Sequence, residues 1–252
     1  MSGDTTYLIT GANRGKHWSR STAAYLSRPD NTVIAAVRDP SHATAKSLPE
    51  LSKGHGSALI TVKLDSSVPA DAATVIQSLQ SEHNISALDV IIVNAGINDD
   101  SNFGPVAQLS IDVLDQHVRI NAYTPLLLFQ AALPLLEKAK TPKFVAITSG
   151  IGSIGIMEHI PFPMGGYGTS KAVLNFLVSK LNFENEKLII FPLSPGFVQT
   201  DMGNAAADYV GMKEAPTTLD ASINGIVKLV DAASRQETSG HFLSFDGREI
   251  PW

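Results

Sequence analysis

TYLITGANRG, residues 6–15, runs a short β-branched and apolar stretch straight into two glycines four residues apart. Residues 6–10 read as a strand and 17–28 as the helix after it. Glycines in such a turn let backbone N–H groups approach a pyrophosphate closely, and the helix N-terminus adds partial positive charge. A lone turn of this kind is common. The run TVIAAV at 32–37, about twenty residues further on, makes it the opening of a βαβ unit. The same alternation continues through ALITVKL (58–64), LDVIIVNA (88–95), KFVAITS (143–149), LIIFPLS (188–194) and HFLSF (241–245). Several of these runs are apolar on both faces, as buried parallel strands are. Helical patterns at 41–52, 68–84, 110–138, 166–184 and 218–234 lie between them. The order predicts an α/β fold over residues 1–252: a single-domain, Rossmann-type, doubly wound parallel sheet of about seven strands with helices on both faces.

Composition narrows the function. A hydrophobic share of 44% with 17% charged residues is that of a globular chain with a large core. The net charge of −5, with no basic block, argues against a nucleic-acid surface. Zero cysteines remove disulfides, zinc ribbons and cysteine nucleophiles together, and fit a reducing compartment. The opening MSGDTTYLIT carries no secretory signal pattern, and the longest uncharged stretch, 120–136, is too short and polar to span a bilayer. A soluble, cytoplasmic protein is expected. The seven histidines form no close ligand pair, so no metal site is expected. Ser149 and Ser194 lack a G-x-S-x-G elbow, which removes the hydrolase reading.

Tyr167-Gly-Thr-Ser-Lys171 carries the chemistry. The i, i+4 spacing puts phenol and ammonium on one helix face. An ammonium beside a phenol favours the phenolate, and a tyrosine so tuned exchanges a proton with a carbonyl or an alcohol. Ser149 ends the preceding strand, where its hydroxyl can bond the same oxygen, and Asn121 is a polar residue ahead of a strongly apolar stretch. At the end of the second strand, where NAD-selective proteins carry a carboxylate, the chain reads Val37-Arg38. Arg38 and Arg14 either bracket a 2′-phosphate, favouring NADP(H) over NAD(H), or are solvated surface charges. Two Gly-, Pro- and Met-rich loops, 150–165 and 199–217, follow strand ends on the ligand side of such a sheet, and either line the site of a hydrophobic small-molecule carbonyl substrate or are ordinary surface connections.

These residues resemble the short-chain dehydrogenase/reductase family over nearly the whole chain. Seven ordered motifs carry the likeness: TGANRG at 10–15, Asp65 in VKLDSS, Asn94-Ala95-Gly96, Asn121 in RINAYTP, Ser149-Gly-Ile-Gly152, Tyr167 with Lys171, and Pro195-Gly196 with Val198 and Thr200 in SPGFVQTDM. The ending FLSFDGREIPW further resembles fungal ketoreductases of the norsolorinic-acid type and carbonyl reductases of the sniffer and C-factor kind. The resemblance implies hydride transfer between NADPH and a carbonyl. Gly11, Asn13, Arg14, Gly15, Arg38, Asp65, Asn94, Ala95, Gly96, Pro195, Gly196, Val198 and Thr200 would hold the coenzyme, together with Tyr167 and Lys171. Tyr167 would be the acid/base and Ser149 the group polarising the carbonyl, with Ser153 a second candidate hydroxyl. Lys171 would lower the phenol's pKa, and Asn121 would hold a water in a proton relay. The helices at 110–138 and 166–184 pair subunits in many relatives, so a homo-oligomer is one expectation.

One segment departs from the family. After Arg14 the family pattern continues Gly-Ile-Gly, yet here Gly15 is followed by Lys16-His17-Trp18-Ser19-Arg20-Ser21-Thr22, with His17 at the third glycine. One codon choice for His17 onward, CAT TGG TCG AGG TCT ACT, read one base later, encodes Ile-Gly-Arg-Gly-Leu. A locally displaced reading frame is one account of the segment, and a divergent loop is the other. On the first account a weakened coenzyme turn is expected; on the second Trp18 packs with Tyr25 and Lys16 meets a phosphate. A catalytically weak dinucleotide-binding sensor or scaffold stands as the alternative function.

Overall fold

The structure, a computed structural model, describes residues 4–160 and 162–252, apart from the side chains of Lys16 and Asp100. Pro161, inside the 150–165 loop, therefore lies outside the described residues. Seven parallel strands form one sheet in the order β3-β2-β1-β4-β5-β6-β7. They are β1 (Thr5–Thr10), β2 (Asn31–Val37), β3 (Ala58–Lys63), β4 (Val90–Val93), β5 (Lys143–Ile147), β6 (Ile189–Ser194) and β7 (Leu243–Ser244). The apolar runs alternate faces as a pleat requires. Leu8, Ile34, Ile91 and Phe144 bury one face against α3 (Asp71–Ser81), α5 (Thr124–Leu136) and α6 (Gly165–Glu184). Tyr7, Ile9, Val33, Ile92 and Val145 bury the other against α1 (Gly15–Leu26) and α8 (Leu219–Ala232). Strand order reverses between β1 and β4, so their carboxyl ends open the crevice where ligands bind in such sheets.

Three segments differ from the sequence reading, each for a local reason. The helix expected over 41–52 is one turn, α2 (Ala43–Lys46), followed by a 3-10 turn at Leu48–Glu50. Pro49 has no N–H for an α-helical bond and disfavours that conformation in the residue before it. The long helix expected over 110–138 is α4 (Ile111–Val118), a π turn at Arg119–Tyr123, then α5. Thr124 N–H bonds back five residues to Arg119 O, and Pro125 has no N–H to offer the carbonyl of Asn121. The loop expected over 199–217 contains α7 (Asp201–Tyr209), capped by Thr200, whose hydroxyl accepts from Gly203 N at 3.0 Å. No helix among the described residues is long and apolar enough to cross a membrane.

Phe144 is fully buried in β5, edge-on to Phe129 of α5 with ring centroids 5.0 Å apart. Phe144→Ala is expected to cost about 3–5 kcal/mol, read as a fall in the urea midpoint at unchanged slope. A loss below about 1 kcal/mol would contradict this packing.

Candidate active site

The turn after β1 is locked to the end of β4. Thr10 Oγ1 accepts from Asn94 N at 3.0 Å and Ala95 N at 2.9 Å, while Asn94 Nδ2 donates to Thr10 O at 3.2 Å. Gly11 sits at φ +64°, and a Cβ there would lie 3.0 Å from Asn94 Nδ2 and 3.2 Å from Ala95 Cα. Only glycine permits both the conformation and the approach. Gly15, at φ +59°, opens α1 with open space where a side chain would be, and the helix has no side-chain cap. Uncapped first-turn N–H groups of this kind suit an anion such as a pyrophosphate. Asn13 Nδ2 anchors the turn sideways, donating to Thr44 Oγ1 at 2.8 Å.

At the end of β2, Arg38 and Arg14 are both exposed and close enough for their charges to oppose each other. Asp39 is turned into its own loop, accepting from Ser41 N at 2.8 Å and Ser41 Oγ at 2.7 Å. Asp65 accepts from Ser67 N and Oγ at 2.9 and 2.7 Å. Partial burial would raise its carboxyl's pKa, but those two bonds, with the charge of Arg38, hold it below the usual range.

The candidate catalytic side chains converge on Lys171. It is buried on α6, donates from Nζ to Ile147 O at 2.8 Å, and stands 5.6 Å from the centroid of the Tyr167 ring. Two glycines make room for it. A Cβ on Gly96 would lie 2.9 Å from Asn121 Oδ1 and 3.7 Å from Lys171 Nζ; one on Gly152 would lie 2.7 Å from Lys171 Cβ. The Ser149-x-x-Gly152 spacing is therefore a contact requirement. Asn121 sits in the π turn, where Oδ1 accepts from Ile97 N at 2.7 Å and Nδ2 donates to Ile97 O and Ser170 Oγ, both at 2.9 Å. The side chain is spent on structure, and its backbone carbonyl is the one that Pro125 leaves without an α-helical donor.

Ser149 opens the 3-10 turn Gly150–Gly152, and its hydroxyl bonds towards the Tyr167 phenol. Ser153, the other candidate, is fully buried and donates to Pro251 O. Burial raises the phenol to about 12, against the pull of Ser149 and the Arg14 charge. Burial also lowers Lys171 to about 7, helped by Arg14. In the chain by itself, desolvation is the largest cause acting on both groups.

Residues 5–210 match the short chain dehydrogenase family. The chain belongs to that family. It is 46% identical to norsolorinic acid ketoreductase nor1 of Dothistroma septosporum over 98% of this chain and 92% of that one. Against norsolorinic acid ketoreductase stcE of Emericella nidulans the figures are 41%, 98% and 94%. Among solved structures, the NADPH-bound carbonyl reductase from chicken fatty liver superposes with a TM-score of 0.84 at 29% identity, covering 99% of this chain and all of that one. The carbonyl reductase Sniffer of D. melanogaster shares the fold, with a TM-score of 0.83 at 24% identity over 99% of this chain and 100% of that one. The chain is thus an oxidoreductase of the short-chain dehydrogenase family.

Against the family pattern, segment 16–22 forms the first turns of α1 and not a loop. Ser21 and Thr22 satisfy their hydroxyls on carbonyls four residues back, His17 O and Trp18 O, which lets a polar sequence be buried. Trp18 joins the same core cluster as Tyr25. His17 is buried with Nε2 3.0 Å from Ser222 Oγ, which itself lies 2.6 Å from Pro195 O. The single hydroxyl hydrogen goes to the Pro195 carbonyl, so His17 presents Nε2–H to the serine oxygen. Its Nδ1 has no partner among the described residues, and burial lowers the ring to about 4, so it is neutral. Beyond Pro195, Gly196 at φ +85° packs on Phe245, where a Cβ would be 2.7 Å from the ring, and Val198 bridges to Thr217. Sequence reading passed over Ser170, which accepts from Asn121 and donates to Tyr167 O at 2.7 Å, and Ser222. Ser170 had a visible cue in its place directly before Lys171; Ser222 had none.

Replacing residues 16–22 by Ile-Gly-Arg-Gly-Leu-Leu restores glycine where the His17 ring now stands. Calorimetric titration with NADPH is expected to show binding tightened about tenfold or more, about 1.4 kcal/mol. Equal or weaker binding would instead make His17, through Ser222 and Pro195, a working part of the coenzyme cradle.

Proposed function

We propose that this chain is an NADPH-dependent ketoreductase acting on a hydrophobic, aromatic ketone. The observation that carries the reading is the convergence of Ser149, Tyr167 and Lys171 at the carboxyl end of β5, beside an uncapped helix N-terminus and the Gly96 gap. When bound, the nicotinamide supplies a hydride to the carbonyl carbon. Tyr167 then donates its proton to the carbonyl oxygen, giving the alcohol, and Ser149 holds that oxygen with its hydroxyl. A phenol near 12 is kept protonated at neutral pH, which suits the reductive direction. Lys171, near 7, is poised to pass a proton to the phenolate left behind.

NADPH in preference to NADH is supported by the two opposed arginines, Arg14 and Arg38, at the place where a 2′-phosphate would sit, and by the withdrawal of Asp39. The substrate class is supported by the rings above the site: Phe162 meets Phe197 edge-on at 5.1 Å, and Phe103 lies 4.7 Å from Tyr209. The names of the relatives, norsolorinic acid ketoreductases and an NADPH-bound carbonyl reductase, point the same way and give the sensor or scaffold reading no support.

Tyr167→Phe keeps the ring and removes the proton. Turnover of an aromatic ketone is expected to fall by about 10²–10⁴ with NADPH affinity retained; a loss under about tenfold would remove Tyr167 from this role. Arg38→Asp replaces attraction by repulsion, so the ratio of NADPH to NADH affinity is expected to drop at least about tenfold. An unchanged ratio would make Arg38 a surface charge.

A further inference from the structure

Helix α6 carries both proton-transfer residues, yet its own first turn has no cap. Met164, at the cap position, makes no side-chain bond to the helix. The N–H of Tyr167 itself, an orphan donor of that first turn, is taken by a residue far away in sequence: Asn102 Oδ1 accepts it at 2.8 Å. Asn102 is almost completely buried and is held in turn, its Nδ2 donating to Asn98 Oδ1 at 2.9 Å. Asn98 follows directly on Ile97, whose backbone is clamped at both ends by Asn121. An unbroken set of bonds therefore runs from the Asn94-Ala95-Gly96 turn to the backbone of Tyr167. Gly166 is shaped around this contact, since a Cβ there would lie 2.8 Å from Asn102 Oδ1. The strand-like bridges of Phe103 and Gly104 to Met164, and Gly104 N donating to Pro163 O at 2.9 Å, lay segment 102–104 across the start of α6.

We propose that Asn102 is a positioning residue for the reaction: by holding the Tyr167 amide, it fixes where the phenol stands relative to Ser149 and to the coenzyme turn. The inference rests on the acid/base reading of Tyr167 given above. Without the contact, the first turn of α6 frays and the phenol is displaced, and a misplacement near 1 Å can cost about a hundredfold in rate. A phenol moved away from Ser149 also loses the bond that holds its pKa down. Phe103, next in the chain, lies tilted against Tyr209 of α7 with ring centroids 4.7 Å apart, so the same short segment touches both Tyr167 and the loop proposed to meet the substrate.

The test uses the full chain with NADPH and an aromatic ketone. Asn102→Leu is expected to lower kcat at least about tenfold, with NADPH affinity within about twofold of the parent. Asn102→Asp keeps an acceptor at a helix N-terminus, where negative charge is favourable, and is expected to restore most of kcat while moving the alkaline limb of the pH–rate profile upward. Gly166→Ala, which pushes a methyl onto Asn102 Oδ1, is expected to reproduce the loss with Asn102 in place. Should Asn102→Leu fail to fold, the other two variants decide. Near-parental kcat in Asn102→Leu or Gly166→Ala overturns the proposal. So does failure of Asn102→Asp to restore kcat, or an equal fall in NADPH affinity and kcat, the pattern of a merely structural residue. Tyr167→Phe, run alongside, separates the two readings: if it stays active the role of Tyr167 fails, and if it is dead while Asn102→Leu is active only the positioning role fails.

Discussion

The bond from Lys171 Nζ to the carbonyl of Ile147 is the fixed point of the molecule. It ties α6 to the end of β5 in a place where the cation is cut off from water, and burying an ammonium is costly unless it is hydrogen-bonded. The surroundings bend to allow it. Gly96 gives up a side chain so that the β4 turn can pass Asn121 and Lys171, and Gly152 gives up another so that the Ser149 turn can rest on Lys171. Three chain segments distant in sequence meet within a few ångströms because two of them have no Cβ. Desolvation is then the dominant electrostatic fact of the site. It raises the phenol to about 12 and lowers the ammonium to about 7, so both shifts run towards the neutral forms. In the role proposed for it, a site built this way favours proton donation from Tyr167 and gives Lys171 a titration near neutrality, where a proton relay is most useful.

How much of this was legible in the sequence follows from how local each cause is. Strand alternation and the glycine turn depend on near neighbours, and both the seven strands and the turn at 10–15 were readable. Interruptions were readable in principle where a proline causes them: Pro49 cuts α2 short, and Pro125 opens the π turn under Asn121. α7 hid inside a loop because its composition, DMGNAAADY, shows little apolar period, although Thr200 ahead of Asp201 is an N-cap signal. Asn102 and Ser222 could not be read at all. Their partners lie 65 and 27 residues away, and nothing in an isolated asparagine or serine says which carbonyl or amide it will reach.

His17 shows the opposite case, a residue whose local oddity was visible and whose consequence was not. A histidine where the family has glycine puts a buried ring on α1, and the structure meets that ring with a bond to Ser222 of α8. The cost is visible too, in an Nδ1 with no partner among the described residues and a ring held neutral by burial. A buried acceptor left unsatisfied destabilises the fold by about 1–3 kcal/mol, whereas one hydrogen bond contributes about 0.5–1.5, so the serine contact does not by itself repay the orphaned nitrogen. What the arrangement gains is connection. The helix that begins the coenzyme turn and the Pro195-Gly196 turn at the far end of the crevice share one serine, Ser222, whose hydroxyl bonds to both. One neutral imidazole thus ties the helix after the glycine turn to the Pro195-Gly196 turn through a single hydroxyl.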